Sequence, residues 1–156
     1  MAPSTQELEP PTIPGRFTSQ WSNLPKGSQS FLKVMSKSVE ADESAGFRKR
    51  NSPALFARYL HDMAATIEQG RTFLRSGGEI MMVIGDNYTT IGGNKIRIPC
   101  TDLIEEIAIE AGFDPVERID ISVTTENLKH IKNAILENVV LRLRAPSQVG
   151  SENMVV

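Results

Sequence analysis

The chain has one cysteine, Cys100, and two histidines, His61 and His130, in 156 residues. A lone cysteine excludes a disulfide within the chain, and two histidines so far apart do not make the clustered spacing that binds a metal. This usage fits a reducing, cytoplasmic setting. No apolar run approaches the roughly 18 residues a membrane helix needs, and the N-terminus lacks the basic start and apolar core of an export signal. Excess charge is lacking too: a formal net charge of −2 excludes a surface that is basic overall, while leaving room for a local basic patch. The phosphate-cradling patterns G-x-x-x-x-G-K-[ST] and G-x-G-x-x-G are both absent. What is present, 40% hydrophobic and 23% charged residues, suits one soluble domain with a core.

The chain is organised around Gly77-Gly78-Glu79-Ile80-Met81-Met82-Val83-Ile84-Gly85-Asp86-Asn87. Five unbroken apolar residues between glycines predict a strand covered on both faces, as in a parallel sheet between helices. Ligands in open parallel sheets gather beyond the carboxyl ends of the strands, which directs attention to Asp86, Asn87 and Tyr88.

Upstream, residues 1–25 hold five of the nine prolines and predict an extended or disordered arm, with Phe17 and Trp21 as its anchors. Residues 31–35, Phe-Leu-Lys-Val-Met, fit a short strand or a helical turn, and periodicity does not decide between them. Residues 40–50 pass from acidic to basic, ending in Phe47-Arg48-Lys49-Arg50; an aromatic beside three cations suits a phosphate backbone and a base, and also an ordinary solvated loop. Ser52-Pro53 predicts a helix start, and Phe56, Tyr59, Leu60, Met63, Ile67 and Leu74 form one stripe over residues 54–75. Gly70 in that helix implies close packing or a break, and Gly77 a left-handed stop. His61 sits at the edge of the stripe, as a surface or boundary residue.

Beyond the glycine-flanked strand, residues 89–99 predict a loop or small hairpin turning at Gly92-Gly93-Asn94, with Ile96 and Ile98 alternating with Lys95 and Arg97. A helix follows, capped by Thr101 or Asp102 and ended by Gly112, with Leu103, Ile104, Ile107, Ala108 and Ala111 facing the core. Its carboxylates Asp102, Glu105, Glu106 and Glu110 suit the helix dipole better than acid/base chemistry. Residues 113–123 predict a strand, residues 124–133 a polar connection with Lys129, His130 and Lys132, and residues 135–144 a last strand with Val139, Val140, Leu141 and Leu143 inward and Arg142 and Arg144 outward. The tail from Ala145 reads as loose. The order helix, strand, helix, strand, strand implies an α/β domain over residues 51–145, between an arm and basic loop (1–50) and a flexible tail (146–156).

Several segments together resemble the C-terminal half of class I S-adenosylmethionine-dependent methyltransferases, in particular the DNA methylases that act on cytosine N4 or adenine N6. They are Arg58-Tyr59-Leu60-His61-Asp62-Met63, Leu74-Arg75-Ser76-Gly77-Gly78, Val83-Ile84-Gly85-Asp86-Asn87, Ile98-Pro99-Cys100-Thr101-Asp102, Ala111-Gly112-Phe113 and a closing strand led by Glu137. The resemblance covers residues 52–144. It implies a partial Rossmann-like sheet whose last strand is antiparallel, extended by an N-terminal arm.

The departures matter as much. The family's glycine-rich cofactor loop is absent, and so is its acidic or polar residue followed by two prolines and an aromatic; Glu9-Pro10-Pro11-Thr12 has no preceding strand and no aromatic. The resemblance therefore implies the C-terminal part or accessory subunit of a split DNA amino-methyltransferase, as in restriction-modification, with no catalytic or cofactor-binding residue of its own. S-adenosylmethionine would enter only with a partner chain that completes the site. Asp86, Asn87 and Tyr88 would border the base pocket, and Arg48, Lys49, Arg50, Lys95 and Arg97 would contact DNA phosphates. The alternatives are a non-catalytic methyltransferase-like module for dimerisation or regulation, and a fragment of a small-molecule methyltransferase. A missing half also leaves an apolar strand edge, to be covered by a catalytic subunit, a second copy of the chain, or residues 31–35 folded back as a strand.

Overall fold

The computed structural model describes residues 21–122 and 137–146. Residues 1–20, which include most of the expected arm with Phe17, lie outside the described residues, as do the connection with Lys129, His130 and Lys132 and the chain beyond residue 146. A short 3-10 turn, Trp21–Asn23, leads into helix α1, Lys26–Glu40; α2 is Phe47–Arg50 and α3 is Ser52–Phe73. Then come strands β1 (Glu79–Gly85), β2 (Asn87–Ile91) and β3 (Asn94–Ile98), helix α4 (Cys100–Glu110), and strands β4 (Asp114–Ser122) and β5 (Glu137–Arg144).

Helix α1 decides between the two readings left open for residues 31–35: they are helical, and so are not available to substitute for a strand, and residues 26–40 of the expected arm-and-loop region form a helix. Leu32, Met35 and Val39 are buried and recur at helical steps, and no proline follows Pro25 at the N-cap. Helix α1 is seated by a carboxylate from far along the chain. The amides of Gly27 and Ser28 donate to Glu106 Oε1 and Oε2 at 2.9 and 3.2 Å, satisfying donors that a first helical turn leaves open. A side chain on Gly27 would run into that carboxylate.

Helix α3 has Pro53 in its first turn as expected, but Asn51, not Ser52, is its N-cap, and the Ser52 hydroxyl donates to the Lys49 carbonyl. Gly70 leaves the helix intact and marks close approach, since a Cβ there would stand 2.9 Å from Ile80 Cδ1. The helix ends at Phe73, and Gly77, with φ of 70°, shapes the turn before β1 rather than the helix stop. His61 is half-buried, at the boundary expected of it.

The main sheet has the order β1-β5-β4, with β5 antiparallel to both neighbours. The last strand therefore lies between the other two, which run parallel to each other without touching. Register places Ile80, Met82 and Ile84 on one face with Leu141 and Leu143, packed against α1, α3 and α4 in the main core. The opposite face carries Met81, Val83, Val140, Ile119 and Ile121. Among the described strands β1 is an edge, as the missing half implied, and it departs from expectation in its cover: one face is exposed, with Met81 and Val83 at 66% and 68% and Ile119 and Ile121 exposed as well. At the other end of this face Glu79 receives hydrogen bonds from Arg142 (2.7 Å) and Arg144 (2.9 Å), and Arg142 also reaches Glu117. The guanidinium of Arg142, then that of Arg144, holds the Glu79 carboxyl below its usual range.

Helix α4 ends as its sequence predicts. Gly112 has φ of 88°, its amide bonds Ile109 O at 2.9 Å, and the Phe113 amide bonds Ala108 O at 3.0 Å, closing the last turn over buried Phe113. The expected capping box is not formed: Asp102 and Glu105 both grip Arg118 of β4, and Pro99 holds the N-cap position. Nor is the tail loose at its start, because Ala145 is buried and its amide donates to Gly78 O at 2.7 Å.

Candidate functional site

The site lies where β1 ends. Strands β2 and β3 form a separate two-stranded hairpin in which Ile91 faces Asn94, so Gly92 and Gly93 alone make the turn. Their φ values of 55° and 78° are the left-handed pair that a two-residue turn of this hand demands, and two glycines adopt them without strain. Ile91 and Ile98 turn inward, Ile91 with Ile96 against Met35, Val39, Phe31 and Phe56. The alternate residues Tyr88, Thr90, Lys95 and Arg97 share the outer face, and all four are exposed.

Asp86 is the single residue between β1 and β2, and both its carboxylate oxygens are engaged. Oδ1 accepts from the Thr101 amide at 3.0 Å, at the N-terminus of α4, and Oδ2 pairs with Arg97. A carboxylate at a helix N-terminus is favoured by the open amides and the dipole, so this residue performs the capping that Thr101 and Asp102 were expected to do. The bond to Asp86 raises the Arg97 guanidinium further above its ordinary value. Asn87 is exposed, with its own Oδ1 accepting from the Tyr88 amide at 2.7 Å. The Lys95 ammonium stands 4.2 Å from the centre of the Tyr88 ring, a cation–π pair. Beneath the strand end, burial pushes the Cys100 thiol up to about 11, so it stays protonated and unreactive near neutrality.

The other predicted cations lie on α2, a single helical turn rather than a loop. Arg48, Lys49 and Arg50 are exposed, Arg50 Nε donates to Ala45 O at 2.7 Å, and Phe47 beside them is 74% exposed. Asp42 joins the two groups. Its Oδ1 accepts from the Ser44 hydroxyl and amide, while Oδ2 accepts from the Gly92 amide at the hairpin tip at 2.7 Å. These bonds, the Ser44 hydroxyl first, hold the carboxyl below its usual range, and Lys49 is near enough to add to the effect. Sequence reading merged Asp42 into a solvated acidic run; the signal available was Asp42-Glu43-Ser44, a spacing at which an aspartate side chain closes a turn on the residue two ahead.

S-adenosylmethionine, implied by the family resemblance, needs a glycine-rich turn whose amides open toward the ligand at a helix N-terminus. The N-termini of α1 and α4 are already filled by this chain's own Glu106 and Asp86, and that of α3 follows Arg48-Lys49-Arg50-Asn51 rather than a glycine-rich turn. The described residues do not fit that cofactor, and among them no group of three or more His, Cys, Asp or Glu residues is placed to hold a metal ion. No described helix is long and apolar enough to cross a membrane.

No family model matches the chain, and no curated protein matches it. Among solved structures, two of a candidate DNA modification methylase from Thermus thermophilus resemble it. The selenomethionine derivative is 19% identical, with a TM-score of 0.48, over 64% of this chain and 41% of the other. The complex with S-adenosyl-L-methionine is 20% identical, with a TM-score of 0.49, over 64% of this chain and 42% of the other. The chain spans about two-fifths of the length of these neighbours.

Proposed function

We propose that the chain is the C-terminal part or accessory subunit of a split DNA amino-methyltransferase, completed by a partner chain. The observation that carries this reading is the position of β1. The strand that leads into Asp86, Asn87 and Tyr88 is an edge of the three-stranded sheet, with no described strand on its free side. Its five apolar residues carry none of the devices that guard an edge, as expected of a sheet continued by another chain.

In the completed enzyme, a base extruded from the duplex offers its exocyclic nitrogen for methylation, and the protein's task is to position and desolvate it. The partner brings the methyl donor, S-adenosylmethionine, together with the catalytic motif. Asp86 orients the hairpin through the Thr101 amide and Arg97, and Asn87 and Tyr88 border the base. Arg48, Lys49, Arg50, Lys95 and Arg97 take phosphates, in one surface joined by Asp42. A second reading, a non-catalytic module for dimerisation or regulation, is favoured by the helix N-termini that this chain fills with its own carboxylates.

The test mixes the chain with a methyltransferase-like protein encoded beside it that carries the cofactor loop, and measures mass in solution, cofactor binding and DNA methylation. A stable mixed complex that methylates DNA is expected. In it, replacing Lys95 and Lys49 by alanine should lower the slope of log affinity against log salt by about 1 for each phosphate that is no longer neutralised. A chain that ignores the partner, or a complex without cofactor binding, overturns the reading in favour of the non-catalytic module.

A further inference from the structure

The two edges of the main sheet are built in opposite ways. At the outer edge, β4 has Pro115, a bulge that leaves Val116 without a partner on β5, and the charged residues Asp114, Glu117, Arg118 and Asp120. Proline, a bulge and charge are the devices that stop a sheet from recruiting another strand. Between Ile80 and Ile84, β1 has none of them, and no described strand lies on its free side.

We infer that β1 pairs with β1 of a second copy of this chain, antiparallel about a two-fold axis through Met82, when no other partner holds the edge. The residues specify this register. Centring the pair on Met82 sets Ile80 against Ile84 and Met81 against Val83 of the other copy, so every side chain in the run meets an apolar one. The two acidic residues that bound the run then fall opposite glycines, Glu79 against Gly85 and Asp86 against Gly78, and no like charges meet. Met81 and Val83 are the most exposed of the sheet's apolar residues, at 66% and 68%, and they become direct cross-strand neighbours. A shift by one residue would turn each of them toward the wrong face of the other copy. The pairing joins the two half-sheets into one six-stranded sheet.

The test uses the full chain alone, without partner, cofactor or DNA, so it fails or succeeds independently of the split-enzyme reading. Light scattering over a concentration series should show the mass of two chains at the upper end. Val83→Lys and Met81→Lys, both at exposed positions, should keep the thermal transition that the parent shows at concentrations where it is a monomer, and weaken the dimer by at least about tenfold. Register is read by cross-linking. Met81→Cys mixed with Val83→Cys should form a disulfide between copies faster than either variant alone, because directly opposed antiparallel residues lie within disulfide reach and diagonal ones do not. A monomer at every concentration, a dimer unaffected by both lysine variants, or cross-linking with no preference for the mixed pair overturns the inference.

Discussion

Carboxylates set this molecule's joints. Glu106 and Asp86 each fill the N-terminus of a helix that begins far away in sequence, and Asp42 fixes the tip of the hairpin. None of the three was legible as a joint. A sequence shows a carboxylate near a helix start, and the rule that acids favour first turns describes local neighbours, whereas Glu106 acts on Gly27 and Ser28, 79 and 78 residues distant. Replacing Glu106 with alanine leaves those amides half-buried without an acceptor, and should lower stability by about 1–2 kcal/mol in chemical denaturation. Glu110, an exposed acid on the same helix, is the control, and its replacement by alanine should leave the denaturation midpoint nearly unchanged.

Elements with a local cause were the readable ones. The hairpin follows from two glycines between alternating strands, and the end of α4 from Gly112 placed after a periodic run. Replacing Gly112 with alanine forces a side chain into the left-handed region and should cost about 1–2 kcal/mol, measured as a lower denaturation midpoint with an unchanged slope. Helix α1 was ambiguous over residues 31–35 because five residues span little more than one turn. Val39, one step further, completes the stripe that marks it as a helix. Strand β1 was identified correctly as an element and wrongly as to its surroundings. Its composition reports what the strand is suited to touch, while exposure depends on which chain supplies the second layer. The same holds for the site: Asn87, Tyr88 and Lys95 are exposed, and the engagement of Asp86 depends on α4 arriving beside it.

At the scale of the whole molecule, the parts are tied by charge as well as by apolar packing. Glu79 links the start of β1 to the end of β5 through Arg142 and Arg144, and its carboxyl is held below the ordinary value of 4.5 in the fold. Because the folded value is the lower one, the stability it contributes is complete above 4.5 and is lost as pH falls through the depressed value. Glu79→Gln should therefore melt below the parent at neutral pH, with the difference closing as the solution is made more acidic; a difference independent of pH would show that the charge is not its source.

The contrast between the two sheet edges also limits what the molecule can build. Among its described strands the main sheet presents one open socket, and β4 with its bulge and charges is a stopper at the other end. Joining through that socket uses it up, whether the newcomer is a twin or an unlike chain. Growth accordingly halts at two, and concentrated solutions should contain pairs, not fibres. An unlike partner binds one to one, and must first evict the twin.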